Sequence, residues 1–301
     1  MAVQAAVRPA VRAVPHRRPA PARMVLQGFL IAMCAVWLFP LLWAVYEALR
    51  PIGDTTLHGY VSLPHQGLGL GNFTSAWTNA ELPRFYLNTL LVAVPGVLVT
   101  LLVASMLAFA ISQFNWRFNI LVLMIFTAGN LLPPQVIIIP LYWIYLNTPL
   151  PVLSDNGLLY DQYVGVILIH IVFQMGFATF VLSNYMKTIT KEITESALVD
   201  GANVLRIWWD VILPLCRPAL AAMATLLFTF IYNDFFWALI LMKSGNKRPI
   251  VSALNNLQGE FFINYNLLAA GALLAAVPSL LVFIAFQKHF VRGLTLGATK
   301  G

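Results

Sequence analysis

Long apolar runs separated by short polar segments dominate the sequence. An α-helix needs about 20 predominantly apolar residues to cross a bilayer, and five runs reach or approach that length. They cover residues 24–49, 87–111, 164–183, 219–242 and 266–286. A further, interrupted run covers residues 120–146. We therefore predict an all-α membrane protein with six transmembrane helices.

The interrupted run contains the segment Asn130–Gln135, with adjacent prolines at Pro133 and Pro134. Proline removes a backbone donor and clashes with the preceding turn, so a helix ends or breaks there. We place the third span at residues 120–132 and expect a re-entrant or interfacial helix after it. Asn130, Pro133 and Pro134 are candidates for a gate or substrate path, with a purely structural break as the alternative.

Composition supports a membrane protein. The chain is 60% hydrophobic and only 10% charged, whereas soluble domains are about a quarter charged. The two cysteines, Cys34 and Cys216, lie in or beside apolar runs and are expected to be small buried hydrophobes. Their separation gives no disulfide framework and no metal-ligand spacing.

The basic residues indicate an orientation. Of 18 Lys and Arg residues, 13 lie in segments on one side of the six predicted spans. Such an excess marks the cytoplasmic side, so both termini and the 187–218 loop are predicted to be cytoplasmic. Residues 1–23 form a disordered basic tail, and residues 24–286 form the transmembrane domain. Because the charge follows the loops, nucleic acid is not an expected partner.

The 187–218 loop is predicted to contain two short helices joined by a turn. Lys191 to Val199 are compatible with a helix, and Gly201 tolerates the positive φ that the turn requires. Asn203 can cap the second helix, which Pro214 then ends. From these residues alone, a plain connecting loop is as good an interpretation as a functional one.

The loop sequence resembles the EAA loop of permease subunits in ATP-binding-cassette importers. The pattern is Glu-x-Ala-x-x-Asp-Gly-Ala, followed by Ile-Leu-Pro, with a serine where the family usually has a second alanine. The resemblance implies that this loop docks on an ATPase subunit and couples its movement to the pore. The implied coupling residues are Glu195, Ser196, Ala197, Asp200, Gly201, Ala202, Trp208, Ile212, Leu213 and Pro214.

A second candidate site lies in the predicted fifth span, at Asn233 and Asp234. A carboxylate at membrane depth is costly and is expected to face the bundle interior or water. The family shows a similar Asn-Asp/Glu-Phe pattern, so both residues are candidates for lining the pore or gate. Pairing with neighbouring helices, or a place at the outer interface, is the alternative. His170 is expected to be a hydrogen-bonded packing histidine.

The C-terminal segment, residues 287–301, is predicted to be a flexible cytoplasmic tail. It resembles the ending of the smaller maltose-permease-type subunit of carbohydrate importers, in which the tail reaches between the two ATPase subunits. The residues implied at that interface are Gly293, Leu294, Thr295, Gly297, Lys300 and Gly301.

The resemblance implies a type I importer permease fold and a place in the bacterial inner membrane. The implied partners are a second permease subunit, two ATPase subunits, an extracytoplasmic solute-binding protein, a sugar or oligosaccharide, and the lipid bilayer. The sequence lacks a phosphate-binding Gly-x-x-x-x-Gly-Lys-Ser/Thr loop, so we do not expect this chain to hydrolyse ATP itself. We expect it to be a transport component rather than an enzyme and to bind no cofactor, with ATP and Mg²⁺ on the partner ATPase. Alternatives are a permease for a peptide, amino acid or anion, and a secondary transporter.

Overall fold

The computed structural model describes residues 20–131, 133–257 and 263–295. Within these ranges the chain is mainly helical, and the rest consists of turns, irregular segments and isolated β-bridges such as that between Pro149 and Leu158. The α-helices are α1 (Ala20–Leu49), α2 (Ile52–His58), α3 (Gly71–Thr78), α4 (Leu82–Gln113), α5 (Asn119–Leu131), α6 (Ile138–Asn147), α7 (Tyr163–Met186), α8 (Lys191–Val199), α9 (Val204–Arg206), α10 (Leu213–Leu215), α11 (Arg217–Tyr232), α12 (Phe236–Leu241), α13 (Ile250–Ala253) and α14 (Tyr265–Thr295).

The chain divides into two units, residues 1–46 and residues 47–301. The described part of the first unit is the helix that begins at Ala20, whose large apolar side chains are mostly exposed. A surface of this kind suits hydrocarbon, because lipid tails are as apolar as the side chains that face them.

Four described helices are long and apolar enough to cross a bilayer: Arg23–Leu49, Leu82–Gln113, Tyr163–Met186 and Tyr265–Gln287. Two bent pairs also qualify if each is counted as one span. They are Asn119–Gly129 with Pro134–Asn147, and Val204–Leu215 with Arg217–Tyr232. The chain is therefore an all-helical membrane protein with four to six candidate spans, and the predicted six is the upper count.

The core of the second unit is built on α4 and α7, which pack along one another. Small buried residues such as Ala93, Ala104 and Ala178 let these two helices approach closely. α11 packs against α4 and α14, and α5 packs against α7. This core holds the ends of α4 and α7 beside the 187–218 loop, whose Ile207 and Ile212 are part of the same hydrophobic cluster.

The structure corrects three predictions about the fifth span, the C-terminal segment and the cysteines. The fifth span, predicted as continuous over 219–242, is interrupted between Tyr232 and Phe236, where Asp234 accepts backbone hydrogen bonds. The C-terminal segment was predicted to be flexible from residue 287, but α14 remains helical to Thr295, since an established helix propagates at low cost. Cys34 is exposed on α1, although Cys216 is buried as predicted.

Candidate coupling loop and buried polar sites

The turn of the 187–218 loop is a helix C-cap closed by glycine. α8 ends at Val199, and Gly201 takes a φ of 80°. The Gly201 N–H donates to the Leu198 carbonyl at 3.0 Å, and the Ala202 N–H donates to the Ala197 carbonyl at 3.0 Å. These two bonds form a Schellman motif, which satisfies carbonyls that the helix end would otherwise leave unpaired. The predicted positive φ at Gly201 is confirmed.

The second helical segment of the 187–218 loop begins where it was predicted to begin, but its interior is not the predicted α-helix. Asn203 Oδ1 accepts a hydrogen bond of 2.8 Å from the Arg206 backbone N–H, which confirms the predicted N-cap. Residues Ile207–Ile212 are π-helical rather than α-helical. Pro214 does not itself end the helix, which continues to Leu215 and breaks at Cys216. The chain then turns by 82° into α11.

Buried side chains fix this loop to the helix bundle. Ile207, Trp208 and Ile212 join the hydrophobic cluster that contains Phe109 of α4 and Met186 of α7. The buried Gln113 adds polar links. Its Nε2 donates to the Met186 carbonyl at 2.9 Å, and its Oε1 accepts from Thr194 Oγ1 at 2.9 Å. The end of α4 is therefore joined to both α7 and α8.

The remaining predicted coupling residues face outward or lie partly exposed. Glu195, Ser196, Asp200 and Gly201 are exposed. A groove opens among Ala197, Asp200, Ala202, Arg206, Asp210 and Val211. Leu213 and Pro214 are half-buried. The loop thus presents a rigid surface with both charge signs, carried on a buried base.

Replacing Trp208 by alanine should destabilise the chain, because the buried indole anchors the loop to α4. Trp208 is 6% exposed and its neighbour Trp209 is 60% exposed, so Trp209→Ala is a matched control. Truncating a buried tryptophan costs about 3–5 kcal/mol, and truncating an exposed one costs much less. Thermal unfolding of the purified protein should show a lower midpoint for Trp208→Ala only. Equal midpoints for the two variants would contradict the anchoring role.

Asp234 lies at the break between α11 and α12 and pairs with a neighbouring helix. Its carboxylate accepts the backbone N–H groups of Trp237 at 3.3 Å and Ala238 at 3.1 Å, and so caps α12. His170 of α7, which is buried, places Nε2 3.5 Å from Asp234 Oδ2 without good hydrogen-bond geometry. Asn233 is exposed and donates to the Thr229 carbonyl at 2.9 Å. Sequence reasoning considered Asp234 and His170 separately and missed that they are neighbours.

The proline break of the third span is present between α5 and α6. α5 ends at Leu131, and a 3₁₀ turn over Pro134–Ile137 leads into α6 at a bend of 88°. Pro133 is exposed, whereas the side chain of Asn130 lies outside the described part of the chain. Beside α5, an open groove between α5, α7 and α11 is lined by Thr127, Gln174, Gly176, Phe177, Phe180 and Phe230.

A buried ionic network joins the end of α1 to α2 and α14, and it was not predicted from the sequence. Arg50 is fully buried. Its Nη2 lies 2.9 Å from Asp54 Oδ2, and its Nη1 lies 3.5 Å from Glu47 Oε1. Asn266 Nδ2 donates to the Glu47 carbonyl at 2.9 Å and to Thr55 Oγ1 at 3.0 Å. Burial alone would raise the pKa of Asp54, but hydrogen bonds from Arg50 and the His65 N–H hold that pKa below its usual value.

The predicted ATPase-interface tail is only partly described. Gly293, Leu294 and Thr295 belong to the last turn of α14, although their side chains lie outside the description. Gly297, Lys300 and Gly301 lie beyond the described residues. Their proposed contact with ATPase subunits stays a prediction.

Comparison with known proteins decides the family. Residues 96–296, two thirds of the chain, match the family described as "Binding-protein-dependent transport system inner membrane component". The chain belongs to this family.

Individual relatives agree with this assignment. The permease is 34% identical over 233 residues to the alpha-glucoside transport system permease protein AglG of Rhizobium meliloti, covering 77% of this chain and 60% of that one. It is 29% identical over 231 residues to the melibiose/raffinose/stachyose import permease protein MelC of Bacillus subtilis, covering 76% and 80%. Its fold matches a chain from a crystal structure of a bacterial ABC transporter that imports alginate. That match has a TM-score of 0.76 and 22% identity, and covers 93% of the permease and all of that chain.

Proposed function

We propose that this permease forms half of the translocation pathway of an ATP-driven, binding-protein-dependent importer for a sugar or oligosaccharide. Membership of the family supports the role in an importer, and the names of the relatives support a sugar or oligosaccharide as the substrate. AglG is named for alpha-glucosides and MelC for melibiose, raffinose and stachyose. A second permease chain would supply the other half, two ATPase subunits the energy, and an extracytoplasmic binding protein the substrate.

The coupling surface is the 187–218 loop. A surface that transmits force must be rigid and tied to the spans it moves, and this loop is capped at Gly201 and anchored through Trp208 and Gln113. The exposed Glu195 would meet a basic residue of the ATPase. When ATP draws the two ATPase subunits together, the loop would move with them. The loop would then move α7, which precedes it, and α11, which begins at its end. The ATPase must bind the two permease states differently for this coupling to work.

The groove beside α5 suits a saccharide. Phe177, Phe180 and Phe230 offer apolar ring faces, and Gln174 and Thr127 offer hydrogen-bonding groups. Small-molecule sites combine an apolar lining with a few placed polar groups in this way. Asp234 caps α12 and lies beside the buried His170, and this local structural role gives less support to a secondary transporter with a charge relay.

The proposed orientation has six spans with both termini cytoplasmic, following the excess of basic residues in those segments. It places residues 50–83 outside and the 187–218 loop inside. The proposed organisation keeps a basic tail at 1–23, a permease domain at 24–286 and a terminal segment at 287–301. Helical structure extends into both ends, because α1 already begins at Ala20 and α14 continues to Thr295. ATP and Mg²⁺ would bind to the ATPase subunits.

The proposed assembly is tested by purifying the tagged chain from its own membranes in mild detergent and identifying its partners. An ATPase with a Walker motif and a second permease should co-purify, and a co-recovered binding protein can then be tested against sugars. Recovery of this chain alone, with uptake that is insensitive to ATP depletion, would overturn the proposal in favour of a secondary transporter.

Glu195→Ala should reduce recovery of the ATPase, since it removes the exposed charge assigned to that contact. Glu192→Ala is the control, because Glu192 is also exposed but lies one turn earlier in α8. The ATPase-to-permease ratio after pull-down at low salt measures the effect, which should shrink at high salt as the charge is screened. Equal ratios for both variants would count against the assigned contact.

A further inference from the structure

Two histidines and an aspartate meet at one end of α2, and none of them belongs to the 187–218 loop or lines the groove beside α5. His58 Nδ1 lies 3.2 Å from Asp54 Oδ1, and His65 Nδ1 lies 3.8 Å from the same oxygen. All three potential ligand atoms lie within 4.8 Å of one another. Asp54 is buried, and the two histidine side chains are 37% and 55% exposed.

The local fold brings these residues together. Asp54 and His58 are four residues apart on α2 and so share one face of that helix. Gly59, at a φ of 82°, ends the helix and lets the chain turn back. The His65 backbone N–H then donates to Asp54 Oδ1 at 3.2 Å, and its ring stacks on His58 with centroids 3.9 Å apart.

Arg50 positions the aspartate. Its guanidinium binds Oδ2 through Nε at 3.1 Å and Nη2 at 2.9 Å, so Oδ1 is the oxygen turned toward the histidines. A carboxylate held in this way by an outer partner is a feature of metal sites, where hydrogen bonds to the ligands fix their orientation. Arg50 neutralises part of the local negative charge, while the imidazoles can supply two neutral nitrogen ligands.

We propose that Asp54, His58 and His65 form a binding site for a transition-metal cation such as Zn²⁺. Imidazole nitrogen and carboxylate oxygen are both zinc ligands, and bonds of about 2.1 Å in a tetrahedron place ligand atoms about 3.4 Å apart. The separations of 3.2 and 3.8 Å from Oδ1 bracket that value. The stacked rings must turn for both Nδ1 atoms to converge, and the exposure of His65 leaves room for that movement.

The bound ion would fasten residues 59–65 onto α2. Three protein ligands leave a fourth position for water or an incoming group. Two nitrogen ligands favour Zn²⁺ over Mg²⁺ or Ca²⁺, which prefer oxygen. In the proposed orientation the site faces the outside of the cell, but metal binding can be measured without reference to transport.

The test uses the full-length chain, purified with its partners through a tag that contains no histidine. Equilibrium dialysis against Zn²⁺, with metal quantified by mass spectrometry, should give one ion bound per chain. His58→Ala and His65→Ala should each weaken binding by about 100-fold or more, since losing even an outer-shell partner costs about 10–100-fold. His16→Ala controls for the loss of a histidine elsewhere in the sequence. Mg²⁺ in excess should leave Zn²⁺ binding unchanged.

A second measurement separates metal binding from misfolding. Zn²⁺ should raise the thermal unfolding midpoint of the wild-type and His16→Ala proteins and leave those of His58→Ala and His65→Ala unchanged. The variants should unfold like the wild type when no metal is added. Zinc stoichiometry that is equal in the wild type and the His58→Ala/His65→Ala double variant would overturn the site, as would equal stabilisation by Zn²⁺.

Discussion

Gly201→Val is expected to abolish uptake while the chain still inserts into the membrane. Gly201 holds a φ of 80° in the turn between α8 and α9. Left-handed backbone costs an L-residue about 1–2 kcal/mol, and β-branched valine is among the residues that adopt it least. The strained turn would open, and the two halves of the 187–218 loop would lose their relative angle. Uptake of labelled substrate, divided by the amount of chain in the membrane, measures the effect.

Gly201→Asn separates two causes of the loss. A Cβ added at Gly201 would have no described atom within 4 Å apart from those of the adjacent residues, so there is space for the first side-chain carbon. Asparagine tolerates the left-handed region and should preserve much of the turn. If Gly201→Asn transports substrate, the defect of Gly201→Val is caused by backbone strain. If Gly201→Asn does not transport substrate, the defect is caused by the close approach of a partner protein to this position. Normal uptake by Gly201→Val would contradict the coupling role of the loop.

Arg50→Met is expected to cause a large loss of stability. The guanidinium is fully buried between Glu47 and Asp54, and it also donates to the backbone carbonyls of Gly59 and Tyr60. Removing one partner of a buried ion pair strands the other charge and costs about 3–5 kcal/mol. Thermal unfolding of the purified protein should begin at a clearly lower temperature.

Arg84→Met provides a matched control for this prediction. Arg84 also pairs with a carboxylate three residues away, Glu81, but both side chains are more than half exposed. Exposed pairs contribute about 0–1 kcal/mol, so this variant should unfold close to the wild type. A similar decrease in unfolding temperature for both variants would show that burial of the Arg50 network adds nothing to the stability of the chain. The double variant Arg50→Met/Glu47→Gln should recover part of the loss, because fewer charges remain unpaired.

The parts of the structure that the sequence predicts well depend on neighbouring residues. α8, the turn at Gly201 and the cap at Asn203 follow from residues within one or two turns of each other. Apolar runs likewise locate α4 and α7, because length and hydropathy are sufficient to identify a span. The local prediction fails within Ile207–Ile212, since its α and π forms satisfy the same apolar pattern.

The parts that the sequence does not predict depend on residues far apart in the chain. Asn266 meets Glu47 across 219 positions, and His170 meets Asp234 across 64, and a single sequence carries no signal of such pairs. From the sequence, Arg50 is expected to be an exposed loop residue, because arginine is rarely fully buried unless it is paired and its partners are not evident from one sequence. The sequence shows Asp234 within the predicted fifth span, but whether such a carboxylate faces the interior of a continuous helix or caps a new helix depends on its three-dimensional surroundings.

The π-helical segment accommodates one residue more than an α-helix would over the same turn. A π-turn contains about one residue more than an α-turn, so removing one residue from Ile207–Ile212 would leave a regular α-helix. The wider turn already takes up the extra residue, so the segments on either side of it would keep nearly the same orientation after such a deletion. Removing a residue from a regular α-helix such as α8 would instead rotate everything beyond it by about 100°, the angle per residue of an α-helix. Evolution can therefore change the residue count within Ile207–Ile212 by one more easily than in the regular helices beside it.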